Sequence, residues 1–171
     1  MESQTATRTD LSEELAPGRA RQIPVPDEAR GLSRLSRIDY EDAFEIEIDP
    51  GRRHWTGERW ARAMIEEAPA GTRRELRLGW TLLGLKLGPA DSPDHVLGWE
   101  IEHSGPDHAL LTAGTRTGMP GELLLKPRGD RLLFCTFIQQ SNPLAKLIWR
   151  PVEAKHQQVV PRLMGRAARA A

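Results

Sequence analysis

Residues 134–171 read FCTFIQQSNPLAKLIWRPVEAKHQQVVPRLMGRAARAA, and the fold turns on this stretch. Phe134 to Ile138 is an apolar run that closes on Gln139 and Gln140, the make-up of a buried strand, and Ser141-Asn142 turns the chain. Asn142 then Pro143 starts a helix. The Asn side chain can accept from free N–H groups, and Pro at the first helical position gives up an N–H that has no partner anyway. Leu144, Leu147 and Ile148 recur at helical spacing, and Val152, Val159, Val160, Leu163 and Ala167 continue the pattern. At about 100° per residue the apolar faces before and after Pro151 are rotated apart by roughly a third of a turn or more. Pro151 cannot donate to the carbonyl of Leu147. The pattern therefore predicts a short helix over 143–150 and a long one over roughly 151–169. The long one spans about 28 Å at 1.5 Å per residue and bends at Pro161. Lys155, Arg162, Arg166 and Arg169 share its other flank. They read as a solvated basic face suited to the negative end of the helix dipole, with an anionic partner or membrane surface as the sharper alternative.

Working outward, the rest of the chain reads as a sheet that holds this helix. Over 38–49, Phe44, Ile46 and Ile48 alternate with Glu45, Glu47 and Asp49, the pattern of a strand with one wet face. The acidic row faces outward with no second cluster, so it serves solubility rather than a metal. After the turn at Asp49-Pro50-Gly51, Thr56 opens a helix that places Trp60, Ala61, Met64 and Ile65 on one side and stops at Pro69. A second helix runs from Thr72 to Leu83 despite Gly79, and Leu85 to Leu87 reads as extended. Four strands follow, over 95–103, 108–116, 121–127 and 131–140. The first pair is joined through Ser104-Gly105-Pro106-Asp107 and the last through Arg128-Gly129-Asp130. Strands joined by short loops pair antiparallel. The fold class is α+β: a curved antiparallel sheet wrapped around a long C-terminal helix, with two short helices after the first strand. A sheet curved around one helix leaves a cavity between them, a natural place for an apolar ligand.

Composition bounds the function. A chain of 171 residues with 39% hydrophobic and 28% charged residues suits one domain, expected over 37–171. Residues 1–36 are rich in Arg, Glu, Ser, Thr and Pro and are expected to form a mobile tail, with Ile23 or Val25 docking on the body. Lys plus Arg equals Asp plus Glu, 24 each, which leaves no long-range field to draw in nucleic acid. No run is apolar enough to span a membrane, and the N-terminus lacks the apolar core of a signal peptide, so the cytoplasm is the expected location. Cys135 is the one cysteine, which excludes an intrachain disulfide and reads as a small core hydrophobe.

The order strand, helix, helix, four strands, long helix is similar to the helix-grip fold of the START-like (SRPBCC) superfamily. More narrowly, the Trp60 helix with its Pro69 stop, the piece WTLLGLKLGP and the stretch FIQQSNPLAKLIWRPVEAKHQQVVPRLMGRAA resemble a bacterial domain family of unknown function in that superfamily. Where that family commonly has a proline two residues before the histidine, this chain has Ala154, and its proline stands at Pro151. The resemblance covers about residues 38 to 169. It implies a hydrophobic cavity and small-molecule binding, and it hands over no catalytic residues.

The residues themselves offer no complete catalytic constellation, no cofactor motif and no metal site. Of the five histidines none sits in an HExxH or HxH pair. His103 and His108 flank a turn, but two ligands do not complete a site. His156 lies near the apolar face of the last helix, as a hydrogen-bonded boundary histidine or as a polar group at the cavity mouth able to orient a ligand or move a proton. Trp80, Trp99, Leu111, Phe134, Thr136 and Ile138 are candidates for the cavity wall, or equally for ordinary core, and Gln140 is a candidate polar contact at its end. Three functions stay open, in this order. The first is a module that binds an apolar small molecule or lipid. The second is a cyclase, dehydratase or isomerase acting on an apolar or polyketide-like substrate. The third is a partner-binding domain with a filled core.

Overall fold

The computed structural model describes residues 18–170. Strands β1 (Arg21–Ile23) and β2 (Tyr40–Glu47) flank a one-turn helix α1 (Asp27–Arg30). Helices α2 (Gly57–Ile65) and α3 (Ala70–Leu82) follow. Then come β3 (Leu85–Lys86), β4 (His95–Val96), β5 (Trp99–Ser104), β6 (Ala109–Thr115), β7 (Gly121–Arg128) and β8 (Arg131–Ile138). Helices α4 (Pro143–Trp149) and α5 (Glu153–Arg169) end the chain. The eight strands form one antiparallel sheet in the order β1-β2-β8-β7-β6-β5-β4, with β3 paired to β6. The fold is α+β with a C-terminal helix.

Alternation along the central strands sorts the core onto two faces. On β2, Phe44 and Ile46 point to one face; on β8, Leu132 and Phe134 join them, with Leu123 and Leu125 from β7. Helices α2 and α5 pack here, α2 over β6 and β7 and α5 over β2. Trp60, Ala61 and Met64 are fully buried between them. The C-terminal helix therefore shares with α2 the face it was expected to cover alone. Two arginines lock the pair. Arg52 donates to the carbonyls of Ala167 and Ala168 at the end of α5, at 2.6 and 3.1 Å. Arg166 donates to those of Ala63 and Met64 at the end of α2. Arg166 is thus part of the packing and not of a solvated flank. The contact between α2 and the sheet is close because Gly57 has no side chain: a Cβ there would stand 2.5 Å from both Ala109 N and Leu125 O.

The other face carries Ala43, Leu110, Leu124, Leu133, Cys135 and Phe137, all fully enclosed. Its cover comes from the segment read as a mobile tail. Strand β1 pairs with β2 from Arg21 to Ile23, and Val25 and Ala29 are buried against the sheet. Glu122, 1% exposed, accepts from Ser33 Oγ at 2.5 Å and from the Arg34 N–H at 2.9 Å. Few large apolar residues suffice here, because strand pairing and these polar ties supply the rest. Residues 1–17, the remainder of the expected tail, lie outside the described residues.

Two further boundaries differ from the pattern. The predicted strand over 95–103 is folded at Leu97-Gly98 into β4 and β5, which pair with each other. Both turn residues have positive φ, +49° and +99°, as a two-residue hairpin of the primed type requires. Leu97 in this turn is held by its N–H to Glu66 and its carbonyl to Arg77. At the C-terminus the break at Pro151 is present, and α5 begins at Glu153, running through Pro161 without interruption. Among the described residues no helix is long and apolar enough to cross a membrane.

Candidate functional site

A cavity of about 620 Å³ opens between the sheet and helices α3, α4 and α5. Its floor is Leu123 of β7 with Thr136 and Ile138 of β8, its sides include Trp80 and Leu76 of α3, and Trp149 and Val159 close it from α4 and α5. It exists because α3 stands away from the sheet. That helix is thirteen residues long and contains no buried residue. It is tied down by Arg77 to Leu97 O and Arg73 to Glu66 O, both at 3.1 Å, and by the edge-on contact of Trp80 with Trp99 at 5.6 Å. Leu82, on the rim, is 74% exposed.

Five of the eight predicted site residues line this cavity: Trp80, Trp99, Thr136, Ile138 and His156. Leu111 and Phe134 share the same face of the sheet but belong to the filled core and do not line the cavity. Gln140 lies outside. Its N–H donates to Asp39 Oδ2 at 2.7 Å and its carbonyl accepts from Arg37, which fastens the start of β2 to the end of β8. Lys155 and Arg162 of the basic flank line the cavity wall, while Arg169 donates to Gly18 O.

His156 is the point where the apolar wall turns polar. Its Nε2 lies 3.1 Å from Asp42 Oδ2 and 3.0 Å from Thr136 Oγ1. Asp42 and Thr136 are direct partners in the β2–β8 register, so one turn of α5 over that pair brings the three together. Tyr40, two residues before Asp42 on the same face, donates its hydroxyl to Asp42 Oδ2 at 2.7 Å and accepts from the Gln157 amide at 3.2 Å. Burial, with Asp42 beside it, pushes the Tyr40 hydroxyl well above the ordinary tyrosine range. Trp149 packs on both rings, 4.9 Å from Tyr40 and 5.3 Å from His156. The Asp42 side chain is 1% exposed, and its Oδ1 has no hydrogen-bond partner among the described residues. A buried carboxylate needs such donors, since leaving it unpaired costs several kcal/mol.

The sequence reading overlooked Asp42 and Tyr40. Their signal was parity: both share the alternation of Phe44 and Ile46, so they fall on the apolar face. Elsewhere, His103 and His108 stack with ring centroids 4.3 Å apart. Burial first, then the neighbouring His103, holds His108 below the usual histidine range. Among the described residues no three His, Cys, Asp or Glu side chains gather as metal ligands. Cys135 is enclosed on the far face of the sheet, its thiol pushed up to about 12 by burial. Set against models of protein families, curated proteins and solved structures, the chain matches none of them.

Proposed function

We propose that this chain binds an apolar small molecule or lipid within a helix-grip fold of START-like type, the ligand lying between the sheet and α3, α4 and α5. The observation that carries the reading is the cavity: about 620 Å³, walled by Leu76, Trp80, Leu123, Ile138, Trp149 and Val159. Ligand pockets are commonly about 300–1,000 Å³ and mainly apolar. The helix-grip label is supported by β2 lying beside β8, by two helices directly after β2, and by the long helix that ends the chain. A filled core, which the partner-binding alternative requires, does not fit an opening of this size.

The test is a titration of the full chain with N-phenyl-1-naphthylamine, a neutral dye that fluoresces in apolar surroundings, beside native mass spectrometry for a retained ligand. Val159→Trp is the blocking variant, because Val159 lines the cavity and is only half-buried. Saturable binding that Val159→Trp weakens at least tenfold, with an unchanged melting temperature, is the expected result. Absence of saturable binding to the unaltered chain, or equal binding by the variant, refutes the reading.

A further inference from the structure

His156, Asp42, Tyr40 and Thr136 meet beside the cavity, and holding an apolar ligand requires none of them. Hydrophobic side chains at Asp42 and Thr136 would close the same wall without a buried carboxylate. What the polar group adds is a proton site. The Asp42 carboxylate, 3.1 Å from Nε2, favours a proton on that nitrogen, which hydrogen-bonds Thr136 Oγ1 at 3.0 Å, and leaves the lone pair on Nδ1. The imidazole lines the cavity and keeps 17% of its side-chain surface exposed. No hydrogen bond among the described residues occupies its Nδ1. A carboxylate behind the ring fixes its tautomer and stabilises the imidazolium that forms when it takes a proton.

We propose that His156 is a catalytic base toward a ligand in this cavity, with Asp42 as its positioning residue, and that the substrate is an apolar carbon acid, a ketone with C–H bonds beside its carbonyl. The inference rests on the ligand-binding reading above. In the step, Nδ1 takes the proton from the carbon next to the carbonyl. The C–H electron pair becomes the enolate double bond, and the carbonyl oxygen takes the negative charge. The imidazolium then returns the proton to the same carbon or to a conjugated one. The sum is exchange or isomerisation, with nothing oxidised or reduced and no co-reactant. Lys155 and Arg162 line the same cavity and supply positive charge on its wall while the enolate exists.

The test follows loss of the α-proton NMR signals of 2-tetralone, a bicyclic ketone, in deuterated buffer with the full chain. Binding is read separately by quenching of tryptophan fluorescence. The charged and titratable groups around the imidazole that enter the pH profile are Asp42 and Tyr40 from β2, Glu75 from α3, and Glu153, Lys155, Arg162 and Arg166 from its own helix. Exchange about 100-fold faster than with free imidazole at equal concentration is expected. Tetralin, which lacks the acidic proton, competes it away, a control that needs no variant. His156→Gln drops the rate to background, and Asp42→Asn lowers it at least tenfold and moves the pH profile. A rate no faster than imidazole, a rate indifferent to tetralin, or an undiminished rate in a folded His156→Gln chain overturns the proposal. An unmoved profile in Asp42→Asn removes the role given to Asp42. Saturable binding without exchange leaves the ligand reading standing, whereas neither binding nor exchange removes both.

Discussion

Replacing Gly57 with alanine tests how α2 is seated, and its expected sign runs against helix propensity. Gly57 is the first residue of α2, buried over the point where Ala109 and Leu125 face each other in β6 and β7. The added methyl would stand 2.5 Å from Ala109 N and from Leu125 O, and 3.0 Å from the carbonyl carbon of His108. All three are backbone atoms, so no rotamer change relieves the contact. Ordinary contact begins near 3.4 Å, so the helix must lift by about 0.9 Å. That lift loosens Trp60, Ala61 and Met64, each fully buried beneath it. Overpacking of this kind costs about 1–3 kcal/mol, whereas Gly to Ala in a helix otherwise gains up to about 1 kcal/mol. A net loss of about 1 kcal/mol corresponds to roughly 2–4 °C in melting temperature for a domain of this size. Gly79 in α3 is the control: an added methyl there meets nothing within 4 Å among the described residues, so Gly79→Ala should gain about 0.5–1 kcal/mol. Urea titrations followed by tryptophan fluorescence measure both. A Gly57→Ala chain as stable as the parent would refute the seating of α2.

Two other side chains give independent tests. Burial holds the Glu122 carboxyl above its ordinary range, partly offset by the bonds from Ser33 and Arg34. The folded chain therefore binds that proton more tightly than the unfolded one. This contribution to stability is complete below the unfolded pKa and is lost as pH rises through the folded value. Glu122→Gln should flatten the fall in stability between acid and neutral pH and leave the variant the more stable at neutrality; equal pH dependence in urea titrations would contradict it. Cys135, enclosed and with its thiol pushed up to about 12, should resist DTNB in the native chain and react once guanidinium unfolds it. Rapid labelling of the folded protein would mean that the far face of the sheet is open.

Much of the fold is written in local pattern. The alternation of Phe44, Ile46 and Ile48, the Asn142-Pro143 start and the Pro151 break each depend on residues a few positions apart, so they survive reading without a structure. Helix α2 begins at its Thr56 cap, whose hydroxyl accepts from the Arg59 N–H, for the same reason. Leu97-Gly98 escaped because a leucine at positive φ carries no local mark, and it is stabilised by Glu66 and Arg77 from distant helices. The outer cover by residues 18–36 escaped because pairing of β1 with β2 and the grip of Ser33 and Arg34 on Glu122 join residues far apart in the chain. The candidate site divides the same way. Sequence alone marked His156, Thr136, Trp80 and Trp99, and parity held the sign that Asp42 faces inward. Which apolar residues line a cavity and which fill the core was decided only by where α2 and α3 lie. Leu111 and Phe134 are sealed within the packed core of the same face, while Trp80 borders open space because α3 stands off the sheet. A residue's own chemistry states whether it avoids water; only the packing of distant elements decides whether a neighbour is there to replace it.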